Sequence, residues 1–412
     1  MERITGSYTK QSQPLIQSDL QINPVEYAEF DGTKLPIKGP FTVAIGRFGT
    51  VTLYSSFPAE IPLYYSIVEK VVHWGELKRK LPGKVHQVTP GRAIKITSLG
   101  NTAWKHEKLK PAIAPQITLP EAIAQYRELL LKAVKSRVET CPSGKIALSC
   151  SGGVDSLLVA WALKELGVDF LPFTACTSSR ASDITQARRN LKAMGITEPI
   201  PVFIDRQTVI DSIQEALLLF EDIGPTQEYM RQAIAHVALA RHAAAAGVTS
   251  IFNGHGQDDL MGRMRSIYKE IVGLPDTLGN AEIWRDERLR AFNDQTLVWD
   301  VNKLFSSIFR HYGIHVRMPY YDWDFMNWVL SQRLNIIPVS KDKPFVQKAA
   351  AIILPPGALK PDYTSTGYVT GAGFKDNLAF RDFVDTVARE AYRKIFGSSN
   401  VQENFPGSSN QY

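Results

Sequence analysis

Leu148-Ser149-Cys150-Ser151-Gly152-Gly153-Val154-Asp155-Ser156 is the stretch whose reading decides the fold of this 412-residue chain. Upstream, Lys145-Ile146-Ala147-Leu148 is a short apolar run without helical period. Downstream, Leu157-Leu158-Val159-Ala160-Trp161-Ala162-Leu163 continues as an apolar helix that stops at Gly167. The stretch is therefore a turn between a strand and a helix. Such a turn suits an anion, because the first helical N–H groups lack intrahelical partners and the macrodipole adds partial positive charge. Gly152 and Gly153 let a phosphate approach the backbone, while Ser149, Ser151 and Ser156 offer hydroxyls. Asp155 would repel bound phosphate unless a divalent cation lay between them, which makes it a candidate magnesium ligand. The competing reading is a tight turn with incidental polar residues.

No lysine follows the glycines, so this is not the common Gly-Lys-Ser/Thr phosphate loop. It resembles the SGGxDS loop of the N-type ATP pyrophosphatases, which cleave ATP between its α and β phosphates. That resemblance implies adenylation chemistry with release of AMP.

Composition bounds the rest. A hydrophobic content of 44% with 21% charged residues is that of an ordinary globular protein, long enough for two or three domains. The net charge of +6 is spread along the chain, and its densest patch, Lys78-Arg79-Lys80 with Lys84, reads as a solvated face in preference to a nucleic-acid site. Cys141, Cys150 and Cys176 form neither a C-x-x-C pair nor a metal-ligand spacing, which fits a reducing compartment. Met1 to Gly6 lacks a signal-peptide core, and no run of ~18 apolar residues could span a membrane, so a soluble cytoplasmic protein is expected.

Residues 1–115 read as a smaller β-rich domain, with strands at Phe41–Ile45, Thr50–Tyr54 and Ala93–Ile96 between Gly and Pro turns. Pro111, Pro115 and Pro120 mark a linker, followed by an amphipathic helix over Glu121–Val138. Beyond the phosphate loop, strands at Phe170–Ala175, Ile200–Ile204 and Val248–Phe252 alternate with helices over Asp183–Met194, Val209–Leu219 and Tyr229–Ala246. This alternation predicts an α/β fold with a parallel sheet and right-handed crossovers. From about 280 to Phe396 the chain reads as mostly helical, and 397–412 as a flexible tail.

Asn253-Gly254-His255-Gly256-Gln257-Asp258-Asp259-Leu260-Met261-Gly262 follows a strand of the same sheet and should emerge at the same edge. Asn253, Gly254 and Gly256 then face the nucleotide, and Asp258 gives magnesium a second carboxylate. The bland alternative is a Gly-rich connection carrying a surface Asp pair.

With both loops in hand, residues 120–370 resemble the synthetase domain of asparagine synthetase and its relatives, including β-lactam synthetases and lasso-peptide cyclases. That family follows SGGxDS with a G-E/Y-G-S-D-E-x-x-G loop, matched here at Gly254, Gly256, Asp258 and Gly262. Ser182-Asp183 with Ala187, and Tyr312 to Asp322, also resemble its landmarks. The resemblance implies an ATP-pyrophosphatase domain of the adenine nucleotide α-hydrolase-like kind over 120–396. Residues 1–115 resemble a degenerate class II glutaminase domain at Gly46-Arg47-Phe48-Gly49, Leu63-Tyr64-Tyr65 and Pro90-Gly91-Arg92. The family's glutaminase cysteine at the second position is Glu2 here, as expected of the glutaminase-deficient members.

The implied enzyme is an AMP-forming carbon–nitrogen ligase using ATP and Mg²⁺, with a carboxylate and an amine as substrates. His255 stands at the family's Glu or Tyr position and is the candidate base; His315 replaces the Glu of the second landmark. The family's late lysine has no clear counterpart: Lys360 is the first choice, with Lys343 and Lys348 behind it. A nucleic-acid-modifying ATP pyrophosphatase and a nucleotide-binding protein without chemistry stay open as alternatives.

Overall fold

The structure is a computed structural model that describes residues 5–8, 16–17, 42–47, 50–55, 62–69, 71–105, 111–219, 227–261, 275–293, 297–338, 343–359, 372 and 378–396. Glu2, Gly262, Lys360 and the 397–412 tail lie outside these residues.

The first strands are β1 (Thr5–Tyr8), β2 (Ile16–Gln17), β3 (Thr42–Arg47), β4 (Thr50–Ser55), β5 (Tyr64–Val68), β6 (Val71–Gly75), β7 (Val85–Gln87), β8 (Arg92–Thr97) and β9 (Gly100–Lys105). They form two antiparallel sheets, ordered β1-β6-β5-β7 and β2-β3-β4-β8-β9. Val51 and Leu53 alternate inward from one sheet, Val72 and Trp74 from the other, and all four join one apolar cluster. The two sheets thus face each other across a shared core.

Thr118 starts the next unit. Its hydroxyl accepts from the Glu121 N–H at 3.4 Å, while the Glu121 carboxylate accepts from the Thr118 N–H at 2.8 Å, a reciprocal cap on α1 (Leu119–Glu139). Ala122, Tyr126, Leu130, Ala133, Val134 and Arg137 form its buried stripe. There follow β10 (Lys145–Ser149), α2 (Val154–Glu165), β11 (Phe170–Cys176), α3 (Ser182–Ala193), β12 (Ile200–Phe203), α4 (Arg206–Leu219), α5 (Gln227–Ala245), β13 (Val248–Phe252) and α6 (Gln257–Met261). The chain continues through α7 (Leu278–Asn293), α8 (Leu297–His311), β14 (His315–Arg317), α9 (Trp323–Ser331), α10 (Pro344–Ile353) and α11 (Leu378–Phe396).

The third sheet is parallel throughout, in the order β12-β11-β10-β13-β14. From β10 the chain steps outward to β11 and β12, then returns to the far side of β10 for β13 and β14. The direction of winding reverses between β10 and β13, where a parallel α/β sheet opens a crevice beyond its carboxyl edge. The two Gly-rich loops are those that follow these two strands. Helix α2 is buried at Val154 and from Ser156 to Leu163, with Asp155 alone of this stretch part-exposed, so its N-terminus is fixed by packing; each fully buried leucine there contributes ~1.5–3 kcal/mol.

β14 departs from expectation, because residues 315–317 fall in a region read as helical. Three residues are too few to show a period of two, and the strand exists through pairing with Ser250, Ile251 and Phe252 of β13. The basic run Lys78–Lys80 forms a short 3₁₀ turn, from which Arg79 donates to His311 Nδ1 at 2.6 Å. Glu76 beside it holds Arg310 in a bidentate pair, with one bond of 2.7 Å, so the β-rich region docks on α8 through charge. No helix among the described residues is long and apolar enough to cross a membrane.

Candidate active site

The loop between β10 and α2 is tied down from below. Cys150 donates its N–H to Phe173 O at 2.8 Å, and its carbonyl accepts from the Thr174 hydroxyl at 2.5 Å. Asn190, buried in α3, donates to Gly152 O at 3.0 Å. Gly152 sits at φ +75°, and a Cβ there would stand 2.7 Å from Ala187 N and 3.0 Å from Asp183 O. Ser151 accepts from the Gly153 N–H at 3.3 Å, and the Ser156 hydroxyl donates back to Gly153 O at 3.0 Å. The backbone is thereby held open at the start of α2, whose first N–H groups have no acceptors within the helix.

The second loop lies directly on the first. A Cβ at Gly254 would meet Ser156 N at 2.6 Å, Asp155 C at 2.8 Å and Asp155 Cβ at 3.0 Å, so only glycine allows this approach. Asn253 donates its N–H to Arg317 O at 3.1 Å and accepts from the His255 N–H at 3.0 Å. Tyr320 closes the junction by donating to Asp155 O at 2.9 Å.

Between the loops sits a cation from a distant part of the chain. Lys343 Nζ lies 2.8 and 2.6 Å from the two carboxylate oxygens of Asp155 and 2.8 Å from Asp258 Oδ1. The lysine side chain is 1% exposed, Asp155 19% and Asp258 64%. Burial would discharge the ammonium, but Asp155 and Asp258 outweigh it and hold its pKa above the ordinary value. Burial acts the other way on Asp155, which is pushed up to about 6 although Lys343 opposes the rise. For Asp258 desolvation is overcome by Lys343, with His255 and Arg288 adding to it, and the carboxyl falls below its usual range. Lys343 precedes Pro344 at the start of α10 with φ +48° and ψ +60°, a left-handed backbone costing roughly 1–3 kcal/mol.

This changes the ranking of the lysines. Lys343, placed behind Lys360 by the sequence, reaches both acidic loops; Lys348, further along α10, is exposed. Lys360 lies outside the described residues. His315 is not brought to the loops: it pairs with Ser250 at the amino end of β14, and its Nε2 accepts from Arg310 at 2.6 Å. Burial, with Arg310 and Arg317, pushes its pKa down to about 3. Ser149 ends β10, one residue short of the loop.

His255 does stand in the second loop, with its ring 5.2 Å from that of Phe305 and 5.9 Å from that of Tyr321. Asp259, which sequence reasoning left as one of a surface pair, is 3.7 Å from His255 Nε2 and accepts from Tyr321 OH at 2.5 Å. Arg288 is buried beneath and donates to Asp259 O. Burial pulls Arg288 down to about 10 against the opposing charges of Asp259 and Asp258. The i, i+4 spacing of His255 and Asp259 across the start of α6 was the one available signal.

Among the described residues no three His, Cys, Asp or Glu side chains gather to hold a metal by themselves. Two carboxylates converging on one cation, one of them open to solvent, are nevertheless the donor set that suits Mg²⁺ when phosphate oxygens complete its shell.

Residues 125–304 match the family model described as asparagine synthase. The match spans the loops that carry Asp155 and Asp258; Lys343 lies beyond it. No curated protein matches the chain. Among solved structures, it is similar to the glutamine phosphoribosylpyrophosphate amidotransferase of B. subtilis complexed with ADP and GMP, at 13% identity and a TM-score of 0.15 over 52% of this chain and 48% of that one. A structure described as the allosteric regulatory enzyme of purine biosynthesis matches at 10% identity and a TM-score of 0.17, over 81% of this chain and 65% of that one. The chain thus spans about half the length of the first and under two thirds of the second.

Proposed function

We propose that this protein is an AMP-forming amide ligase of the glutaminase-deficient asparagine synthetase-like type. The observation that carries the reading is the clasp of Lys343 by Asp155 and Asp258 at the crevice between β10 and β13. In the first step a substrate carboxylate oxygen attacks the α-phosphorus of ATP, and the bond to the β-phosphate oxygen breaks to release pyrophosphate. The start of α2 receives phosphate through its free N–H groups, and the Ser151 and Ser156 hydroxyls line the same turn. Lys343 holds a permanent positive charge where negative charge builds on phosphate, which stabilises that step most in a site sheltered from water. Asp155 and Asp258 would hold Mg²⁺, which when bound supplies further neutralisation of the phosphates.

In the second step an amine attacks the acyl carbon of the adenylate, and the bond to AMP breaks. The amine loses a proton, and His255 is the side chain in the second loop able to take it. Residues 1–115 contain no cysteine, so this region offers no thiol to release ammonia from glutamine; the amine comes as free ammonia or within a substrate. The β-rich unit over 1–115 then acts as a degenerate glutaminase-like domain joined to the ligase domain over 120–396. Carboxylate-dependent exchange of labelled pyrophosphate into ATP, measured over a panel of amino and peptidyl carboxylates, tests the first step. Absence of exchange with every carboxylate, in protein shown to bind ATP, would refute it.

A further inference from the structure

His255 Nε2 is buried and has no hydrogen-bond partner, yet the side chain as a whole is 23% exposed. The exposed surface therefore belongs to other atoms of the side chain. A carboxylate oxygen, Asp259 Oδ2, stands 3.7 Å from the hidden nitrogen. Two arrangements of a neutral ring are open to it. A lone pair on Nε2 would face a negative oxygen and leave two acceptors opposed in a sheltered place, whereas a proton there turns repulsion into an incipient hydrogen bond. Such bonds are often long before substrate binds and close afterwards.

Asp259 is itself held. Tyr321 OH donates to the same Oδ2 at 2.5 Å, and Arg288 donates to the Asp259 carbonyl. The His255 ring is confined between Phe305 and Tyr321, and its backbone N–H is bonded to Asn253 Oδ1. Ring, carboxylate and anchor thus form a short chain, Tyr321 to Asp259 to His255, whose free end is the other ring nitrogen.

We infer that Asp259, fixed by Tyr321, is a positioning residue that keeps His255 in the tautomer with its proton on Nε2, leaving the Nδ1 lone pair as the proton acceptor of the site. The use of that acceptor against an amine rests on the ligase reading; the tautomer does not. Removing Asp259 frees the ring to share its proton between the two nitrogens.

The test is ¹⁵N NMR of the full-length protein labelled in its histidines, at a pH where His255 is neutral, with the signals assigned by loss in His255→Gln. The wild type is expected to show a protonated Nε2 and an unprotonated Nδ1 for His255. In Asp259→Leu, which keeps the branched shape and removes the acceptor, both nitrogens move towards averaged values; Asp259→Glu restores the wild-type pattern. His236, whose Nδ1–H is committed to Gln232 O at 2.6 Å, reports that the fold is intact by keeping the opposite tautomer throughout. A wild-type spectrum with Nδ1 protonated, or an Asp259→Leu spectrum identical to wild type, overturns the inference without touching the ligase reading. If Asp259→Leu does not fold, the wild-type spectrum alone decides. Failure of pyrophosphate exchange, in turn, leaves the tautomer standing.

Discussion

Lys343 Nζ makes two contacts with the Asp155 carboxylate, of 2.8 and 2.6 Å, although the two residues are 188 positions apart. The contact joins the first turn of α2 to the first residue before α10, and the 2.8 Å contact to Asp258 brings in the loop after β13. Three separate parts of the chain meet at one ammonium.

Lys343→Met is therefore expected to lower stability by about 3–5 kcal/mol, the range for removing one partner of a buried ion pair, and to abolish pyrophosphate release. Lys348→Met, on an exposed turn of the same helix, should change stability by less than about 0.5 kcal/mol and leave release intact. Urea unfolding and pyrophosphate assays on both variants check this; equal behaviour of the two would contradict the role given to Lys343.

Asp258→Asn should separate function from stability. Its carboxylate is largely in solvent, so the variant is expected to lose no more than about 1 kcal/mol, yet to release no pyrophosphate. An active Asp258→Asn enzyme would remove the second acidic loop from the site.

Gly254→Ala tests the contact between the loops by sterics alone. The new Cβ would stand 2.6 Å from Ser156 N, and backbone cannot rotate away as a side chain can, so a cost of about 1–3 kcal/mol is expected. Gly279 has open space around it on α7, and Gly279→Ala should be neutral or stabilising by up to about 1 kcal/mol. Thermal denaturation of both variants gives the comparison.

Two histidines should shape the acid limb of stability. Burial pushes His236 down to about 3, outweighing its bond to Gln232, and burial with Arg310 and Arg317 does the same to His315. The unfolded chain binds these protons below about pH 6.5, the folded chain only near 3, so stability is full above that range and falls as the pH drops through it. Each group contributes a slope of at most about 1.4 kcal/mol per pH unit. His236→Gln should lose stability less steeply than wild type between about pH 6 and 4; parallel curves would contradict the buried neutral ring.

What the sequence revealed follows the range of the forces involved. Strands β10 to β13 and their helices were legible because each carries its own apolar period, and Asp155 and Asp258 because each sits among glycines just after a strand. β14 was hidden, since three residues have no period and depend on β13 for pairing. Lys343 ranked below Lys360 because nothing adjacent to it announces a partner; its charges arrive from loops far away in the chain. His315 was a second candidate behind His255 because it stands at the Glu of its landmark, but the register of β14 places it at the amino end of the strand and beside Arg310. Asp259 was passed over as the neighbour of a more obvious carboxylate, and only the fold brings Tyr321 to it.

The most direct measurement is the identity of the nucleotide formed when the pure protein meets ATP, Mg²⁺ and a carboxylate panel with hydroxylamine, a nucleophile that needs no base at neutral pH. AMP and pyrophosphate in equal amounts, formed only with an accepted carboxylate and together with its hydroxamate, is the predicted result. ADP and phosphate, or AMP formed without regard to any carboxylate, would contradict the assignment of an adenylating ligase.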